Sequence, residues 1–305
     1  MIVTLAGANG NLAVRILRCL LQKAGVVVRG YARNTAKIPE DIRNHSSFQT
    51  FQGEINDADK IRGVIRGADV VMCLYQGFDD VIVEGQKLLV DISEEEGVDR
   101  FFPSTFSGNI RNLKTGQHER MDLTLQIMEY LETKKLRPVH ILIGGFLETW
   151  LGYLGIVDHQ TNTVSYWGTG NEVWELTSYD DTAAFTAEVV MDKSAVGDMK
   201  FVGDRITPLE FAKVYERRFG INPKLVNYGS LDDLYKKMHE ERDKHRGDSP
   251  WHYLPLFYQY YTSNGTMLLN EPVDNARYPN LRPTTVEEFI QSRDLSDPHS
   301  LQRPL

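Results

Sequence analysis

Cysteine is scarce in this chain: only Cys19 and Cys73 occur among 305 residues, each inside an apolar run. Two such thiols, expected to be buried, build neither a disulfide framework nor a zinc cluster, and they fit a reducing, cytoplasmic setting. No basic run stands out and the formal net charge is −8, which argues against nucleic acid or an acidic membrane as partner. No apolar stretch reaches membrane-spanning length, and no charged-then-apolar leader precedes Ile2, so neither a membrane span nor a secretory signal is expected. G-x-S-x-G is absent, which removes the nucleophile elbow of a hydrolase. His239, His245 and His252 are spaced six and seven residues apart. That spacing puts no two on one helical face and matches no zinc-ligand pattern, so no metal is expected.

What is present reads as an ordinary globule, 41% hydrophobic and 25% charged, long enough for one large or two small domains. Strand and helix patterns alternate through the first half. "MIVTLAG", "VVVRGYAR", "SFQTFQGEI", "DVVMCLY", "RFFPSTF" and "PVHILIGGF" read as strands. "NLAVRILRCLLQKAG", "DADKIRGVIRGA", "VIVEGQKLLVDISEEEGV" and "QHERMDLTLQIMEYLETKK" read as helices between them. Nearly unbroken apolar strands separated by helices predict an α/β, doubly wound parallel sheet of the Rossmann type. Beyond Phe146 the pattern loosens into a smaller α+β lobe with no repeat or long linker. Residues 1–152 are expected to form the nucleotide-binding domain and 153–305 mainly a substrate lobe. A strand and helix near 173–192 are expected to return to the first sheet. Thr207 with Glu210, and Thr285 with Glu288, predict two capped helix starts.

Gly7, Gly10 and Ala13 fall at G-x-x-G-x-x-A spacing between the first strand and helix. The first glycine allows the tight turn, the second admits a pyrophosphate to the backbone, and the alanine lets the helix pack closely. The free N–H groups of the helix end then face the phosphates. An NAD site ends its second strand with a carboxylate for the ribose hydroxyls; here Arg33 stands there, with Lys37 four residues on. A guanidinium suits a 2′-phosphate, so NADP(H) is the expected cofactor.

"LAGANGNLA", "VRGYAR", "QGEINDAD", "RFFPSTFSG", "IMEYLETKKL" and "ILIGGFLETW" follow one another in the order and spacing of NmrA-like proteins. Over about residues 1–150, and more loosely through "DRITPLEFAKVYERRFG", the chain resembles that group and the isoflavone reductase-like enzymes, which are atypical short-chain dehydrogenase/reductases. The resemblance implies an NADP(H)-binding Rossmann domain, a small C-terminal lobe and a substrate cleft between them. Carried over by position, Gly7, Asn9, Gly10, Asn11 and Leu12 form the pyrophosphate loop, and Arg33 and Lys37 hold the 2′-phosphate. Tyr75 and Gln76 run along the cofactor. Ser104 and Phe106 sit near the nicotinamide ribose, and Gly145 and Phe146 line the nicotinamide. One departure stands out. Reductases of this family carry a lysine early in the helix before "EYL", and counting back places Thr124 there.

Tyr130 and Lys134 read as the Y-x-x-x-K signature of ordinary short-chain dehydrogenases, with Ser104 upstream. They occupy a helix tail, at the wrong end of the sheet for a ligand. His118, in the loop after the fifth strand, is a candidate proton donor or acceptor; a surface histidine near a helix start is the plainer alternative. Tyr153 is a candidate hydrogen-bond donor to substrate or a packing partner of Trp150. Glu148 either orients a cationic amine or caps the next segment. "WHYLPLFYQYY" holds six aromatic residues in eleven, against 10% for the chain. It suits the wall of an apolar cleft, the core of the lobe or a dimer face.

Two readings follow. The first is an NADPH-dependent reductase of a mid-sized apolar or aromatic substrate, acting on C=O, C=C or C=N in specialised metabolism, as monomer or homodimer. The second is an NADP(H)-binding redox sensor without turnover, which the missing lysine favours. The same absence leaves open a non-redox isomerase or cyclase.

Overall fold

The computed structural model describes residues 1–78 and 80–293, which fold as two compact units. The first comprises Met1–Phe106, Thr115–Leu142 and Thr182–Met199; the second comprises Ser107–Lys114, Ile143–Asp181 and the chain from Lys200.

The first unit opens with β1 (Ile2–Ala6), α1 (Asn11–Leu21), β2 (Val27–Ala32), α2 (Glu40–Arg43), β3 (Phe48–Gln52), α3 (Ala58–Ile65) and β4 (Val70–Cys73). A π-helical turn, Asp80–Glu84, leads into α4 (Gly85–Glu95), followed by β5 (Arg100–Phe102), α5 (Glu119–Glu132) and β6 (Arg137–Leu142). The chain then enters the second unit with β7 (Gly145–Phe146), α6 (Leu147–Gly152), β8 (Val157–Asp158), β9 (Thr163–Tyr166) and β10 (Trp174–Thr177). Next, α7 (Tyr179–Met191) and β11 (Gly197–Lys200) return to the first sheet. The second unit resumes with β12 (Asp204–Ile206), α8 (Pro208–Phe219) and β13 (Lys224–Asn227). It continues through α9 (Leu231–Lys244), α10 (Leu254–Ser263) and α11 (Val286–Ser292).

Seven strands form the first sheet in the order β11-β6-β5-β4-β1-β2-β3. The pairs from β6 to β3 are parallel, with Val3 opposite both Val28 and Val70. This is the doubly wound arrangement expected from the apolar strands. Val3, Leu5, Val28, Val71 and Phe101 are fully buried because helices cover both faces. The strand order reverses between β1 and β4, so the loops leaving those strands flank the crevice where such sheets take ligands.

Two expectations meet corrections. The strand near 174 does not join the large sheet. β10 pairs instead with β7 in parallel and β12 in antiparallel, and β11 supplies the seventh strand. The boundary in this stretch falls after Leu142 rather than after residue 152, and the chain from Thr182 to Met199, which holds most of α7, returns to the first unit. Arg100 gives a physical reason for that return. Its buried guanidinium donates to the carbonyls of Val189, Val190 and Asp192 at 3.0, 2.6 and 2.9 Å, satisfying the C-terminal end of α7. Cys73 is buried, whereas Cys19 is only partly so, and neither is in a disulfide.

The second unit has its own core, built on Trp150, Trp174, Leu176, Phe211, Tyr215 and Phe289. Among the described residues no helix is long and apolar enough to cross a membrane.

Candidate functional site

Gly7 leaves β1 with φ +87°, and a Cβ there would lie 2.8 Å from the Leu74 carbonyl oxygen. Both facts demand glycine. The N–H groups of Gly7 and Ala8 donate to the Tyr31 carbonyl at 2.9 and 3.1 Å, and Gly10 N–H donates to the Gly7 carbonyl at 3.0 Å. Helix α1 begins at once. Its first bond is Val14 N–H to the Gly10 carbonyl, 3.0 Å, so the N–H groups of Asn11, Leu12 and Ala13 precede the helical ladder. Gly10 offers no side-chain cap and the first turn carries no acid. By contrast, α8, α9 and α11 close their own ends with capping boxes at Thr207/Glu210, Ser230/Asp233 and Thr285/Glu288. The positive end of α1 thus has no capping side chain at Gly10, and the residues fit a pyrophosphate.

Above this turn the first unit encloses a cavity of about 280 Å³. Of the residues expected at a cofactor, it is lined by Gly7, Asn9, Gly10, Arg33, Tyr75 and Gln76. Asn9 also donates to the Asn34 carbonyl, 3.2 Å, tying the glycine turn to the loop after β2. Arg33 is exposed at the rim, a cation where an NAD site would place a carboxylate. Tyr31, Gly53, Ile55 and Val81 line the cavity too and escaped the sequence reading. Tyr31 donates to the Glu54 carbonyl at 2.7 Å. Burial, then the charges of Asp57 and Glu54, push its phenol up to about 12. A Cβ on Gly53 would lie 2.2 Å from the Tyr31 hydroxyl. The only sequence signal for this pairing was a glycine just past a strand.

The remaining expected cofactor residues lie elsewhere than this lining. Asn11 and Leu12 are the first residues of α1, the Asn11 side chain being held by Arg15. Lys37 is exposed on the short helical turn Thr35–Lys37. Ser104 Oγ donates to the Tyr75 carbonyl at 3.0 Å, and its N–H donates to Gln86 at 3.0 Å. Phe106, half-buried, ends a segment of the first unit; Gly145 and Phe146 form β7 in the second, with Phe146 stacked 4.1 Å from Tyr179.

His118 is the N-cap residue of α5 and fully buried. Burial, and secondly the charge of Arg120, lower its pKa to about 3. The imidazole is therefore neutral near pH 7, and the same burial that keeps it so disfavours its taking up a proton. The surface alternative is excluded by the same burial. Tyr153, at the C-cap of α6, is 47% exposed. Glu148 takes the N–H of Tyr179 on both carboxylate oxygens, 3.0 and 3.1 Å, so it caps α7. Thr124 accepts a hydrogen bond from Arg120 at 2.8 Å. The Tyr130 hydroxyl and Lys134 ammonium both bind Asp91, each at 2.6 Å, at the tail of α5. In the aromatic run, Tyr253, Phe257 and Tyr261 are buried at helical spacing, whereas Trp251 is exposed. That stripe is buried within the chain, which does not fit an exposed dimer face. His245 and His252 stack 4.9 Å apart, with His245 on Asp248 at 3.1 Å.

Known proteins share this architecture. Isoflavone reductase of Glycine max is 25% identical over 275 residues, covering 82% of this chain and 80% of that protein. A solved isoflavone reductase structure matches with TM-score 0.80 at 20% identity, covering 95% of this chain and 98% of the other. The binary complex of leucoanthocyanidin reductase with NADPH from Vitis vinifera gives TM-score 0.78 at 20% identity, over 95% and 98%. The NmrA-like family matches residues 1–290. With that match spanning both units, the chain belongs to the NmrA-like family.

Proposed function

We propose that the chain is an NADPH-dependent reductase of a mid-sized apolar or aromatic molecule carrying a C=O, C=C or C=N bond. One observation carries the reading: an uncapped helix end and an arginine line one cavity at the switch point of the sheet, with no carboxylate at the end of β2. Related proteins named for isoflavone and leucoanthocyanidin substrates support the substrate class and a place in specialised metabolism. A cytoplasmic location suits the free thiols.

NADPH, when bound, supplies the hydride. The chain's own groups bind and orient. The N–H groups of Asn11, Leu12 and Ala13 hold the pyrophosphate, Arg33 with Lys37 holds the 2′-phosphate, and Tyr75 and Gln76 flank the cofactor. Ser104, Phe106, Gly145 and Phe146 are assigned to its nicotinamide half. His118, as a neutral imidazole, and Tyr153 are assigned to proton handling and substrate hydrogen bonding. A second reading, an NADP(H) sensor without turnover, is favoured by Thr124, whose hydroxyl is engaged by Arg120 where the family's reductases carry lysine.

Mixing the chain with NADPH and a panel of aromatic enones, imines and ketones, and following nicotinamide absorbance, separates the two. Turnover with any member removes the sensor reading. Binding of NADPH without turnover across the panel removes the enzyme reading in favour of the sensor. Unchanged turnover in His118→Ala and Tyr153→Phe would remove those two assignments alone.

A further inference from the structure

The Tyr75 side chain is buried, yet its hydroxyl has no hydrogen-bond partner among the described residues. Native structures rarely leave such a group, because removing it from water without a new bond is unfavourable; an exception asks for a reason. Tyr75 sits just past β4, at the switch point. Its ring edge lies 3.4 Å from where a Cβ on Gly7 would be. It lines the same cavity as Arg33 and Tyr31, and burial holds its phenol well above the ordinary range, so it stays a hydrogen-bond donor. Tyr75 thus shares its cavity with the cation expected to meet the 2′-phosphate.

The wall beside it has unusual geometry. Val81 lines the cavity from the π-helical turn Asp80–Glu84, a kind of distortion concentrated at functional sites. Val81 packs so closely on Gly77 that a Cβ there would lie 2.9 Å from it.

We propose that the Tyr75 hydroxyl is kept unpaired in the free chain in order to donate to the 2′-phosphate of the dinucleotide, making it a second determinant, after Arg33, of preference for NADPH over NADH. This rests on the reading that the cavity binds NADP(H). A phenol in this place does two things at once: it destabilises the free chain and adds a charge-assisted bond in the complex.

The test is Tyr75→Phe, with Arg33→Ala as reference, read by equilibrium titration with NADPH and NADH and by thermal unfolding without ligand. Tyr75→Phe is expected to raise the NADPH dissociation constant about tenfold, leave that for NADH unchanged, and raise the melting temperature of the free chain. Equal weakening for both cofactors, or for neither, overturns the proposal. So does a lowered melting temperature, which would mean that the hydroxyl already serves the folded chain. If Arg33→Ala abolishes the preference while Tyr75→Phe keeps it, the cofactor reading stands and this inference falls. If the unmodified chain shows no preference for NADPH, both fall together.

Discussion

His118 is fully buried with a pKa lowered to about 3 from an ordinary 6.5, first by burial and then by Arg120. The unfolded chain binds a proton at this residue below pH 6.5 and the folded chain does not until about pH 3. The resulting stability is full above pH 6.5 and is lost as pH falls through that window. In urea unfolding, His118→Gln is expected to flatten the acid limb by up to about 1.4 kcal/mol per pH unit. An unchanged slope would mean the imidazole is not buried neutral. Spacing alone revealed Gly7, Gly10 and Arg33, because their roles are local: a left-handed turn, a bare backbone and a cation at a strand end. Tyr31 and Gly53 were not legible, since glycine at 53 is required only by a ring arriving from another strand. The depth of His118 was hidden for the same reason: burial is a property of neighbours far away in sequence.

Among the elements, α1 and α11 show the two ways a helix end is satisfied. Thr285 accepts from Glu288 N–H and closes α11, whereas Gly10 gives α1 no side-chain cap. A carboxylate placed at Gly10 would occupy that end itself. The backbone there is extended, with φ −73°, and a Cβ would meet nothing closer than 3.4 Å, so Gly10→Asp is expected to fold. It should gain a few tenths of a kcal/mol of stability as a better cap and weaken NADPH binding more than about tenfold through lost N–H groups and like charge. Unaltered NADPH affinity in calorimetry would place the pyrophosphate elsewhere. The boxes at Thr207 and Thr285 were legible because each ends in glutamate; the third, Ser230 with Asp233, was missed because aspartate replaces it. The π-helical turn before α4 was also invisible, since one wider turn does not disturb an apolar pattern. β10 is as fully buried as β4 of the large sheet, and its partners are what distinguish it.

At the scale of the molecule, the large parallel sheet follows from six apolar strands with helices between them, and that much was readable. The return of a helix near 173–192 was expected as well, but the anchor of that return was not legible. It depends on Arg100 meeting the end of α7, some 90 residues later in the chain, and no local pattern encodes such a partner. Both the site and the family place one claim at the centre: the first unit holds a phosphorylated nicotinamide dinucleotide at the end of α1, beside Arg33. Titration calorimetry of the whole chain with NADPH and NADH tests it most directly. NADPH should bind about tenfold or more tightly than NADH and raise the melting temperature with concentration. Equal affinity for the two, tighter binding of NADH, or no heat from either would contradict it.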